Sequence, residues 1–276
     1  FEIAYELKDQ AEMIHGSEAY EPLEGWTYNH LLYKLKKNLT NTELANHVVN
    51  DYVESYRNGS VYTSYSVTAA VVDTAKLPNV WNELDIFSSE LEHILPVYQE
   101  EIREARENTQ RYDQNPNYRD LYDLAENIRN TIPMADVKSH ADSLQDAIDE
   151  AVIVEDHWQK PGKRNVSKAH GLTIYFPDEG IKSGYEKLII KENSWFDFIE
   201  LYDIGRDSNG FFNNINSLSV DTGTGYNDSV QINGTYAGTA SSIKLRLINS
   251  NGDIVNRYEG NISDGNIQNI YLQPTK

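Results

Sequence analysis

The stretch EMIHGSEAYEPLEGWTY, residues 12–28, gathers His15, Ser17, Glu18, Glu21, Glu24 and Trp26 around a chain reversal. That grouping suits recognition of a cation. A carboxylate binds a guanidinium through two parallel hydrogen bonds, and an indole face attracts the same charge. A solvated acidic loop has the same composition, so spacing alone leaves both readings open.

The other reactive side chains are dispersed. His15 and His170 each precede a glycine, but a histidine base needs a nucleophile to activate, and the chain has no Cys and no Gly-x-Ser-x-Gly elbow. Both are read as structural. His30, His47, His93, His140 and His157 lack a His-Glu-x-x-His spacing, so no zinc site is expected. DTGTGYND, residues 221–228, alternates oxygen donors with glycine as calcium loops do. It lacks their closing bidentate glutamate and reads as a polar turn. Paired carboxylates could hydrolyse a glycosidic bond. With 43 acidic residues in the chain, some pair is always at hand and none is singled out.

Composition narrows the partners. A net charge of -19 over 276 residues repels phosphate backbones and anionic lipid heads, so no nucleic acid partner is expected, whereas a basic peptide is electrostatically welcome. The absence of Cys removes disulfides, thiolate metal sites and thiol nucleophiles from this chain. No apolar run approaches the ~20 residues that cross a bilayer, and no membrane span is expected. The length predicts one large domain and a smaller one.

These groups need elements to position them. Phe1, Ala4, Leu7 and Ala11 share a helical face with no capping residue ahead, so the chain is expected to begin inside a helix. EMIHGS reads as a short strand, EAYEPLEG as a loop and TYNHLLYKLKKN as a helix. Thr40 and Glu43 form a capping box for the next helix, which Asn58-Gly59 ends. Val61, Thr63, Tyr65, Val67, Ala69 and Val71 alternate as a strand. A helix over 77–112 follows, kinked at Pro96, then a turn at DQNPN and helices over 118–132 and 136–158. KPGKRNVSKAHG is a loop, GLTIYFP a strand buried on both faces, and SWFDFIELYDI a helix capped by Ser194. Past Gly205 the texture turns to Asn, Ser, Gly and Thr in short alternating runs, and Asn251-Gly252 marks a hairpin.

AYELKD (4–9), SEAYEPLEGWTY (17–28), GLTIYFPD (171–178) and WFDFIELY (195–202) together resemble the clostripain family of cysteine peptidases over roughly residues 1–204. The resemblance implies an α/β fold: a partial caspase-like three-layer domain, with a parallel-rich sheet between helices, over 1–205. A small antiparallel β domain, sandwich-like or hairpin-rich, would occupy 206–276. It also implies that the catalytic His-Gly and the Asp-x-Cys nucleophile lie before Phe1, so that no catalytic residue is expected here and His15-Gly16 falls among pocket residues. Members cleave after Arg or Lys. The acid they carry before Gly-Trp corresponds to Glu24, with Glu18 and Glu21 as fallbacks if the register slips, and Ser17 and Trp26 beside them. No cofactor is implied, although some members use Ca²⁺. The implied partners are a basic peptide or protein substrate and the N-terminal peptidase segment, and members are exported or held at the cell surface.

The expectation is therefore the C-terminal portion of a clostripain-like endopeptidase, contributing the basic-residue pocket and inactive alone. The alternative is a non-catalytic surface binding protein for peptide or glycan on the same fold.

Overall fold

A computed structural model describes residues 1–35, 38–57, 65–112, 115–177, 180–207, 215–222, 230–236, 242–248, 254–261 and 266–272. The Asn58-Gly59 break, Val61 and Thr63, the Asn251-Gly252 turn and residues 223–228 of the candidate calcium loop lie outside them. The chain divides into two compact units, Phe1–Asp207 and Ser208–Lys276.

The first unit is organised on strand β2 (Val67–Asp73), flanked antiparallel by β1 (Met13–Gly16) and β5 (Val152–Trp158). Helix α1 (Glu2–Glu6) precedes β1 and is shorter than the expected helix; Leu7 is already exposed. Helix α2 (Tyr28–Lys34) follows the acidic loop and buries no residue. Val67, Ala69 and Val71 pack against Ala45, Val49, Tyr52 and Val53 of α3 (Asn41–Tyr56), with Trp26 and Trp158 completing the cluster. The opposite face is closed too. Thr68 is wholly buried and Ala70 nearly so, which makes β2 a central strand sealed on both sides. Thr40 and Glu43 form both halves of the expected capping box at the start of α3.

Helices α4 (Leu77–Asn108), α5 (Leu121–Thr131), α6 (Ala135–Ala151) and α7 (Ser194–Asp207) pack on one another. The kink in α4 falls at Tyr98, two residues past Pro96, whose missing N–H interrupts the ladder. This mixed α/β, sheet-and-helix layering is the fold class that the sequence predicts.

Three further elements differ from expectation. Helix α4 ends at Asn108, and Arg111–Tyr112 forms strand β3. Asn115–Asp120, expected as a turn and then the start of a helix, is strand β4, paired to β3 and to β6 (Thr173–Tyr175). Asp120 then caps α5 by accepting the amide of Asp123. Val152–Trp158, expected as the tail of a helix, is β5: the Val-Ile-Val run favours extended backbone, and its ladder with β2 satisfies the amides. Every pairing among the described strands is antiparallel, so the parallel-rich sheet implied by the resemblance is not found among them.

In the second unit, β7 (Ile215–Thr222), β8 (Val230–Tyr236) and β11 (Asn266–Leu272) form one sheet in the order β11-β8-β7. β9 (Ser242–Ile248) pairs with β10 (Ile254–Asn261). Ile232 and Ile270, partners across β8 and β11, are buried.

Candidate functional site

The acidic loop leaves the end of β1 and is pinned at its root by one hydroxyl. Thr68 Oγ1 on β2 accepts the amides of Glu18 at 3.0 Å and Ala19 at 3.2 Å, and shares a 3.0 Å hydrogen bond with Ser17 Oγ. A threonine inside a buried Val-Ala run is thus an anchor for the loop. Thr68→Val keeps the shape and removes all three contacts, with an expected loss of about 2 kcal/mol in urea unfolding. Thr68→Ser is expected to recover most of it.

Glu18 turns inward. Its Oε2 accepts the amide of Gly171 at 3.0 Å, while Oε1 is shielded from solvent and receives no donor. Burial, and next the charge of Asp120, push the Glu18 carboxyl well above its ordinary range. Asp120, wholly buried, accepts four hydrogen bonds. They come from the amide of Asp123 (2.7 Å), His170 Nδ1 (3.0 Å), the amide of His170 (2.8 Å) and the hydroxyl of Tyr112 (3.2 Å). His170 stacks on Tyr122 with ring centroids 4.4 Å apart. Desolvation lowers the imidazole pKa, but the hydrogen bond and charge of Asp120, helped by Asp123 and Glu155, raise it overall. His170 is thus a fixed member of a buried network.

The distal part of the loop is built differently. A turn closes with Gly25 N–H donating to Pro22 O at 3.0 Å, and Gly25 holds φ +66°. The hydroxyl of Tyr56 donates to Gly25 O at 2.8 Å, which ties the turn to α3. Glu24 sits on this turn with its side chain exposed, beside a fully exposed Leu23. Trp26 Nε1 donates to Glu21 Oε2 at 3.2 Å, and the indole lies between His15 and Tyr52, at 4.7 and 4.5 Å between ring centroids. Burial, partly opposed by the charge of Glu21, lowers the His15 pKa.

The five pocket candidates therefore fall into two groups. Glu21 and Glu24 lie at the solvent side of the loop, with Glu21 oriented by the indole of Trp26, which itself packs on the cluster of α3 and β2. Ser17 and Glu18 lie at its root, directed into the fold. Cavities of about 770 Å³ lie elsewhere, one lined by Asp9, Glu12, Asn41 and Asp73, another by Gln110, Arg111, Arg164 and Lys168. Glu21 and Glu24 line neither cavity. Sequence reading missed Thr68, Tyr112 and Asp120. A polar residue inside the apolar VTAAVV run was the available signal for Thr68; the other two carry none at short range.

The clostripain-family sequence model matches residues 1–202 of this chain. Three solved structures, all from Bacteroides thetaiotaomicron, are similar. One is a clostripain in complex with a peptide inhibitor, at 18% identity over 72% of this chain and 81% of that one, with a TM-score of 0.49. Another is a secreted C11 cysteine protease bound to an irreversible peptide inhibitor, at 16% identity over 72% and 55%, with a TM-score of 0.48. The third, the secreted C11 cysteine protease iotapain, is 18% identical over 72% and 51%, with a TM-score of 0.50, a likeness of fold alone. This chain spans about half the length of the last two. No curated protein matches. With its model matched from Phe1 through to α7, this chain belongs to the clostripain family of cysteine peptidases.

Proposed function

We propose that this chain supplies the wall of a basic-residue pocket in a clostripain-type endopeptidase cleaving after Arg or Lys. The observation that carries this reading is the turn at 22–26: Glu24 exposed immediately before Gly25-Trp26, with Glu21 held against the indole. Two carboxylates beside an aromatic edge on an ordered turn give a guanidinium both charge and shape. Glu18 is occupied by Gly171 and leaves the cation to the other two.

In the reaction so implied, a cysteine thiolate attacks the scissile carbonyl and backbone amides hold the oxyanion. A histidine gives its proton to the departing amine, and water then releases the acyl group. The chain contains no cysteine, so its own part is to seat the side chain preceding the cut bond. The thiolate lies outside these 276 residues. Export, as for the secreted relatives, is part of the same proposal. No described helix is long and apolar enough to cross a membrane.

The test is calorimetric titration of the 276-residue chain with a peptide containing one arginine, and with the same peptide carrying norleucine. The arginyl peptide is expected to bind more tightly, and Glu24→Gln to weaken it about tenfold, the worth of one charge-assisted hydrogen bond. No hydrolysis is expected from the pure chain. Cleavage by it, or equal affinity for the two peptides, would sink the proposal.

A further inference from the structure

The root of the acidic loop joins two carboxyl groups that the pocket does not use. Glu18 and Asp120 come from elements far apart in sequence, the loop after β1 and the cap of α5, and are held by adjacent backbone amides, Gly171 N–H donating to Glu18 and His170 N–H to Asp120. Asp120 is wholly buried and Glu18 Oε1 is shielded from solvent. Asp120 has its four acceptor positions filled by backbone amides, His170 and Tyr112, the pattern of an ionised carboxylate. Glu18 Oε1 has no donor at all, although it is buried. A buried acceptor without a donor is costly, unless that oxygen itself carries the hydrogen. The neighbouring Tyr112 hydroxyl donates to Asp120 and keeps lone pairs free to accept.

We propose that Glu18 is a protonated positioning residue: with Asp120 it forms an acid pair holding one proton, which latches the acidic loop to the α5 cap and opens when that proton is lost. Removal of the proton would leave two buried carboxylates side by side, and repulsion would act on the only member carried by a loop. The groups around the pair bias it in known directions. Burial, and next Asp120, favour the neutral Glu18; the Gly171 amide favours its charged form, as does the Tyr112 hydroxyl when its hydrogen turns from Asp120 to Glu18. Protonated His170, whose pKa is raised overall because Asp120, Asp123 and Glu155 outweigh its burial, adds positive charge beside Asp120. Asp123 is paired to Lys168 at 2.7 Å, and Glu155 to His157 at 2.9 Å. Because Glu18 titrates above its unfolded value of 4.5, the latch is complete below that pH and weakens as pH rises toward the folded value. Its consequence for substrate rests on the pocket reading above: Glu21, Glu24 and Trp26 ride on the latched loop.

Hydrogen exchange of the full 276-residue chain tests the latch without any substrate. Across the titration window, the opening equilibrium of amides 17–26, corrected for intrinsic exchange, is expected to rise by up to about tenfold per pH unit. Glu18→Gln, which cannot ionise, is expected to flatten that dependence. Infrared difference spectra give a second measure. A protonated-carboxyl band that persists in the native chain after the exposed carboxyls have ionised should be missing from Glu18→Gln. A pH dependence unchanged in Glu18→Gln, or no such band in the native chain, would overturn the proposal. Failure of arginyl-peptide binding with both signals present would instead count against the pocket reading.

Discussion

Gly171→Ala is expected to destabilise the first unit by about 3 kcal/mol or more, from two costs that fall on one atom. Gly171 holds φ +96°, where an L side chain is strained, and a Cβ there would lie 3.0 Å from Ala70 Cβ and 3.1 Å from Val152 Cγ1. Those neighbours belong to the central strand β2 and to β5, which is laddered to it, so neither can move aside cheaply. Any backbone shift that relieves the contact also moves the Gly171 amide away from Glu18 Oε2. Gly184 is the matched control. Its φ is +105° and nothing lies within 4 Å of the added carbon, so Gly184→Ala should lose only the dihedral part, about 1 kcal/mol. Urea unfolding of the two variants separates the effects. Equal losses would mean that the sheet yields to the extra methyl and that close packing at Gly171 is unimportant.

The same contact shows why the sequence disclosed one half of the site and hid the other. The loop at 17–28 was legible because its signals are local: Pro22 and Gly25 turn the chain, and Glu24-Gly25-Trp26 belongs to a pattern shared with a family. The capping box at Thr40 and Glu43 was legible for the same reason. The partners of Glu18 are not local. Gly171 lies 153 positions away, and Thr68 lies 50, so nothing in either neighbourhood announces the meeting. Periodicity also failed where both faces of a strand are half-buried alike. Val152–Trp158 continues the apolar spacing of the helix before it, and only the ladder with β2 decides for strand. At Asn115–Asp120, Pro116 argued for a turn, yet β4 pairs with β6 through Tyr118, Arg119 and Asp120, and Asn117 O accepts the amide of Phe176 just beyond, which leaves the proline clear of that ladder.

Trp195→Ala should cost about 3–5 kcal/mol, the range for deleting a large side chain from a closed core. Trp195 is completely buried against Phe176 and Phe198, each ring 5.3 Å away between centroids, and its Nε1 donates to Tyr175 O at 3.0 Å. That bond fastens α7 to the last residue of β6. β6 pairs with β4 up to Asp120, so the Trp195 side chain supports the frame on which Asp120 meets His170. Trp195→Phe keeps most of the packing and drops the N–H, which leaves Tyr175 O without that donor, at an expected cost of about 1–3 kcal/mol. If the frame argument is right, chemical denaturation should rank the variants in that order. Hydrogen exchange of Trp195→Phe should then show faster opening at 171–175 while α3, which packs on the other sheet, keeps its protection. Uniform loss of protection, with α3 opening equally, would mean that α7 stabilises the unit as a whole and does not act through β6.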